Sequence, residues 1–281
     1  MRLSDWLRPP GAARRLIRGG VLVVLLIAAG AFGAEALRDA IFDARVNDGA
    51  ARIVALAGID KAMPFDEQVD RLRTFVTRNS IHKIDAEFYS YWHDLPQVID
   101  RMMAFANGLG PPPHLECSSR TELMAAVLTH LGHATRGVAV FEDAAGFPSH
   151  TFLEVFDRSN GRWHVQDPDY DLYWLLVASG QRASIFDLVA RPFSDVVPCN
   201  GSGCGWTLKS WEGNNAVRLQ TYLGLASVVD RDRDMRPLLV NTTRFDLTAP
   251  QVVEGATRTF CEFAGKNCRQ DIHRFAEPVA P

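Results

Sequence analysis

"ECSSRTELMAAVLTHLGHATRGVAVF", residues 116–141, changes its hydrophobic period midway, and that change decides the fold. Up to Gly132 the apolar residues Leu123, Val127 and Leu131, with Ala126 between them, recur at helical spacing, and the glycine closes the element. From Thr135 the pattern becomes extended. "TRGVAVFE" (135–142), "HTFLEVFD" (150–157) and "RWHVQD" (162–167) are short and rich in valine and aromatic residues, and the turn-forming "DAAGFPS" and "RSNG" separate them. A helix followed by an antiparallel meander predicts an α+β fold in which the helix packs on one face of the sheet. Ser119 with Glu122 fits a capping box that would start the helix two residues after Cys117; read either way, this cysteine lies near the helix N-terminus.

Working outward, residues 35–58, 64–82 and 94–110 carry helical periodicity, the last with Asp94 as N-cap and Gly108 and Gly110 as stop signals. Pro111, Pro112 and Pro113 then force an extended approach to the central helix. Downstream the pattern weakens: residues 213–234 read as a helix, 235–245 as containing a strand, and 246–268 as a helix with a stapled loop. The expected organisation is a hydrophobic N-terminal helix (1–34), a helical part (35–110), the α+β core (111–184) and a C-terminal extension (185–281).

Five arginines, Arg2, Arg8, Arg14, Arg15 and Arg18, precede the uncharged stretch "GGVLVVLLIAAGAFGA" at 19–34. A basic segment before an apolar one reads as a signal peptide or an uncleaved signal-anchor, with Ala29 and Ala31 offering the small-x-small pattern of a cleavage site. Both alternatives send the remainder of the chain out of the cytoplasm, to the periplasm or beyond. If uncleaved, the helix tethers the chain to the inner membrane. Without residues 1–34 the formal charge is −7, against −3 for the full chain, and no dense Lys/Arg patch with interleaved aromatics occurs, so nucleic acid is excluded as a partner. Export also bears on the five cysteines. Cys199 with Cys204, and Cys261 with Cys268, form two close couples suited to local disulfides, which leaves Cys117 over.

A thiol at a helix N-terminus feels the partial positive charge of unpaired backbone N–H groups, which favours the thiolate and lowers a pKa of about 8.5. The same groups can stabilise an oxyanion formed when sulfur adds to a carbonyl carbon. Such a nucleophile needs an imidazole to carry its proton, and the imidazole needs an acceptor to orient it. His150, at the start of the second strand, and Asp167, at the end of the third, supply both in order. Asp169 and Asp171 stand by if the register slips, and Arg120 is read as a solvated helix arginine.

The stretch "ECSSRTELMAAVLTHLGHATRGVAV…SHTFLEVF…GRWHVQDPD" resembles the transglutaminase-like superfamily, whose papain-like core carries Cys at a helix start, His-x-aromatic-x-Glu on a strand, then Trp and Asp-Pro. The match spans roughly residues 110–175. It implies Cys117 as nucleophile, His150 as general base and acid, and Asp167 as the group orienting His150. It implies a peptide or protein substrate in the cell envelope, attacked at an amide or ester carbonyl through a thioester, and it requires no cofactor or metal. Two positions depart from the family pattern: Glu116 precedes Cys117 and opposes its ionisation, and Phe152 takes the aromatic place. Trp92, Asn107 and Gln166 are the candidates for oxyanion or substrate contacts. The alternative is a membrane-tethered binding module that kept the fold without catalysis.

Overall fold

A computed structural model describes residues 11–141, 148–190, 193–205 and 208, together with three short strands within residues 238–270. The chain divides into two compact units, Met1–Arg45 and Val46–Pro281. Residues 11–45 of the first belong to α1 (Gly11–Leu56), a helix of 46 residues. The signal or anchor reading of residues 1–34 concerns side chains that, up to residue 32, fall outside the described residues. Among the described residues no helix is long and apolar enough to cross a membrane.

The second unit is mixed helix and sheet, with the sheet almost wholly antiparallel. The central helix α5 (Cys117–His130) is preceded by α2 (Phe65–Arg78), α3 (Ala86–Tyr89) and α4 (Leu95–Ala106). Asp94 caps α4 as expected, its carboxylate accepting from the Gln97 N–H at 3.2 Å. The three anticipated strands are present as β3 (Thr135–Phe141), β4 (Pro148–Asp157) and β5 (Arg162–Asp167), joined as an antiparallel meander. A parallel pair, β1 (Ile81–His82) and β2 (His114–Leu115), leads into α5.

The sheet continues past the meander through β6 (Leu172–Leu176), β7 (Val196–Asn200) and β8 (Gly203–Cys204), with α6 (Ile185–Ala190) between β6 and β7. On its other side β9 (Leu238–Asn241) pairs with β3, followed by β10 (Asp246–Ala249) and β11 (Arg269–Gln270). The strand expected in residues 235–245 is therefore β9, whereas residues 246–249, expected to open a helix, are a strand; the rest of 246–268 and the helix expected at 213–234 lie outside the described residues. Cys199 and Cys204 face each other across β7 and β8 and form a disulfide, the local pairing expected from their spacing. Cys261 and Cys268 lie outside the described residues.

The core lies between the sheet and the helices. Leu123, Val127 and Leu128 of α5 are fully buried against Val69, Leu72 and Val76 of α2, Val98, Ile99 and Met102 of α4, and Leu153 and Val155 of β4. Each such side chain contributes about 1.5–3 kcal/mol by leaving water. The buried surface of α5 is wider than its periodicity suggested, because Ser119, Arg120 and Thr121 are buried too. Arg120, read as solvated, is 0% exposed, which is a correction: its Nε donates to Ser80 Oγ at 3.0 Å and its Nη1 to Asp169 Oδ1 at 3.0 Å. A buried guanidinium is tolerated only when paired in this way.

Strand alternation divides the meander into two faces. The register pairs Leu153 with Gln166 and Val155 with His164, so these residues share the face toward α2, where His164 meets Asp66 at 3.5 Å. His150, Phe152, Glu154, Trp163, Val165 and Asp167 occupy the other face. There Glu154, wholly buried, ties β3 to β4 and to the start of α6 by accepting from Arg136 Nε at 2.6 Å and from the Ile185 N–H at 2.7 Å.

Candidate active site

Cys117 is the first residue of α5, and Glu116 is its N-cap in extended conformation. The capping box at Ser119 does not form, and the buried Ser119 hydroxyl has no hydrogen-bond partner. Glu116 makes no side-chain cap; it accepts instead from the Ser118 hydroxyl. The first-turn N–H groups of α5 thus have neither an intrahelical acceptor nor a capping carboxylate, and they form a cradle for negative charge beside the sulfur.

Cys117 is a free thiol that keeps some solvent exposure. It is hydrogen-bonded to the ring of His150. On its far side His150 Nε2 meets Asp167 Oδ2 at 2.7 Å, so Nδ1 is the nitrogen left for the sulfur. His150 and Asp167 belong to the same sheet face on adjacent antiparallel strands, a diagonal relation in which an imidazole and a carboxylate can reach each other. Asp167 is itself held in place, because its Oδ1 accepts from the N–H groups of Asp169 (2.9 Å) and Tyr170 (3.2 Å). Rings wall the imidazole: Tyr170 lies 5.1 Å and Phe152 5.8 Å away between centroids.

The electrostatics differ from the sequence expectation in one respect. Burial pushes the Cys117 thiol pKa up, outweighing the His150 hydrogen bond, and the Glu116 charge adds to the rise. Burial also opposes the imidazolium of His150, but the charge and hydrogen bond of Asp167, joined by those of Cys117, hold its pKa well above 6.5. Glu116 is likewise raised by burial, against the hydrogen bond from Ser118. In these directions the pair holds its protons more tightly than a free thiol and a free imidazole would.

The auxiliary candidates have partners of their own. Gln166 faces the opposite side of the sheet, where its Oε1 accepts from Arg73 Nη1 at 2.6 Å. Asn107 is exposed and caps α4, donating Nδ2 to the Met103 carbonyl at 2.8 Å. Trp92 stacks on Phe88 with centroids 5.9 Å apart. Of the three, Gln166 is corrected by strand parity; the backbone N–H groups of the first turn of α5 leave no residue signature in a sequence.

The neighbouring aspartates also have partners of their own. Asp169 binds Arg120 and, at 2.7 Å, His82 Nδ1; burial would raise its pKa, but the His82 hydrogen bond and the Arg120 charge hold it low. Asp171 accepts from Arg73 Nε (3.0 Å) and Thr74 Oγ1 (2.9 Å). Of the three aspartates, Asp167 is seen hydrogen-bonded to His150. His114 turns to Asp85 at 3.0 Å, and among the described residues no group of three or more His, Cys, Asp and Glu side chains could hold a metal ion. Tyr170, Arg120 and His82 are the site neighbours that sequence reasoning missed; the Asp-Pro-Asp-Tyr-Asp segment at 167–171 was their available signal.

Compared with known proteins, the chain matches no family model and no characterised protein. The assignment of chemistry rests on the geometry of Cys117, His150 and Asp167.

Proposed function

We propose that the chain is a transglutaminase-like cysteine enzyme that attacks an amide or ester carbonyl of a peptide or protein substrate in the cell envelope. The observation that carries the reading is the continuous hydrogen-bonded series from Cys117 at the first turn of α5 through His150 to Asp167, with 2.7 Å between the last two. Once the pair has lost one proton, His150 takes the remaining thiol proton as sulfur adds to the carbonyl carbon, and the oxyanion meets the N–H groups of the first turn of α5. His150 then gives that proton to the departing amine or alcohol, leaving a thioester on Cys117. Water or an amine, deprotonated by the same imidazole, resolves the thioester to an acid or a new amide. Asp167 fixes the ring orientation throughout.

The Cys199–Cys204 disulfide supports an oxidising, extracytoplasmic compartment, in keeping with the arginine-flanked apolar stretch at 19–34. The raised thiol pKa and the carboxylate of Glu116 favour the second reading, a non-catalytic binding module. Activity profiling of wild type and Cys117→Ala on cell-envelope peptides and proteins, scoring released amine and crosslinked product, separates the two. Complete loss of product in Cys117→Ala is expected; equal product from both proteins, or none from wild type across pH 6–10, sinks the enzymatic reading.

A further inference from the structure

On the sheet face opposite His150 a cleft of about 430 Å³ opens between α2, the end of α1, β6 and the β7–β8 turn, lined among others by Arg71, Arg73, Arg78, Thr74, Tyr173 and Asn200. A cavity of this size holds a dipeptide- to nucleotide-sized molecule. Three guanidinium groups line it against one carboxylate, Asp70, and that carboxylate is already bound: Arg182 donates to it at 2.6 and 2.9 Å and Arg73 at 2.6 Å. Arg71 donates to the Gly58 carbonyl at 3.2 Å, and its ion pair with Glu67, at 2.8 Å, is nearly half exposed on both sides. Such a pair is weak and yields readily to an incoming anion. Leu56, Ala57 and Phe75 add an apolar wall, which suits an organic anion better than a bare inorganic one.

The same helix faces the loop that carries Asp167. Thr77 Oγ1 donates to the Pro168 carbonyl at 2.5 Å, while Arg73 and Thr74, both cleft-lining, donate to Asp171. Asp171 sits at φ +54°, a backbone conformation a non-glycine residue keeps only when its surroundings hold it there. We propose that the cleft binds a small anion bearing carboxylate or phosphate groups, and that occupancy is transmitted through Thr74 and Asp171 to the Asp167–His150 pair. The transmission rests on the proposed role of that pair, whereas the binding does not. An anion that draws Arg73 and Thr74 toward the cleft loosens their hold on Asp171, four residues from Asp167, and linkage requires His150 protonation to alter anion affinity in return.

The test titrates the full chain with citrate, pyrophosphate and the neutral trimethyl citrate by calorimetry, and follows the His150 ring by NMR pH titration with and without saturating anion. Saturable one-to-one binding of citrate or pyrophosphate is expected, with none of the ester; whichever anion binds tells the carboxylate source from the phosphate one. The exposed double variant Arg71→Gln/Arg78→Gln weakens binding about tenfold or more. The bound anion moves the His150 midpoint by about half a unit or more, and Asp171→Asn, outside the cleft lining, keeps the binding and removes that displacement. The site is overturned if neither anion saturates, or if the double variant binds as wild type does. Binding that leaves the His150 midpoint where it was overturns the transmission. An inert Cys117 with both effects intact would sink the enzymatic reading alone.

Discussion

Gln166 and Asp167 are consecutive on β5 yet belong to opposite faces of the sheet, and each face has a buried cation beside its polar side chain. On one face Asp167 meets an imidazole at 2.7 Å; on the other, Gln166 and Asp171 meet the guanidinium of Arg73 at 2.6 and 3.0 Å. The difference lies in the proton. A guanidinium keeps its charge throughout the range in which proteins fold, so the Arg73 cluster braces α2 at every working pH. An imidazole gives its proton up, so the Asp167 side can change its protonation state and the Arg73 side cannot. Two buried ionic clusters of similar size therefore differ in kind: one fixes α2 on the sheet, and the other is the one to which the proposed function assigns chemistry.

This contrast is most severely strained by Arg73→Met. It leaves Asp171 and Asp70 short of their buried partner and costs about 3–5 kcal/mol, read as a fall in unfolding midpoint in denaturant. A loss below about 1 kcal/mol would mean that the brace is dispensable. Asp167→Asn is expected to do the reverse: the fold survives, while the rate of Cys117 alkylation at neutral pH drops on the order of 10²-fold. Comparable alkylation in the two proteins would remove Asp167 from the site.

pH sharpens the same distinction. With His150 held well above 6.5 and the thiol raised, alkylation and catalysis rise with pH along a limb above 6.5, as the pair loses its first proton. Stability moves the other way. A raised histidine pKa stabilises the fold fully below the unfolded value of 6.5, and the contribution is lost as pH climbs through the folded value. Melting temperature and alkylation rate measured over pH 6–10 should cross, the first falling as the second rises; a reactivity limb at or below pH 6.5 would contradict the arrangement. The smallest effect is expected of Glu116→Gln. Removing one charge beside the sulfur, worth about 1 kcal/mol, raises neutral-pH alkylation about fivefold, and an unchanged or slower rate would mean that the carboxylate does not oppose the thiolate.

How much of this was legible before the coordinates depended on the range of the interactions. The helix at 117–130 and the strands at 135–141, 148–157 and 162–167 were readable because their apolar spacing is local, and so was the order of Cys117, His150 and Asp167. Arg120 was misread because its partners, Ser80 and Asp169, lie 40 and 49 residues away, and no local pattern marks a buried arginine as satisfied. The upward push on the thiol pKa escaped notice for a related reason: a helix N-terminus is visible in a sequence, but the burial of Cys117 is not. Gln166 was placed by residue type, yet strand parity turned it away from the sulfur.

The segment Asp167-Pro168-Asp169-Tyr170-Asp171 hands its three carboxylates to three different clients in strict sequence: His150, the Arg120–His82 couple, and Arg73. Inserting or deleting a single residue there would transpose the clients all at once, so drift in this loop should be confined to substitutions that keep its length. Anyone grafting the Cys117 centre onto another scaffold would have to move the five residues together with α2, as one cassette.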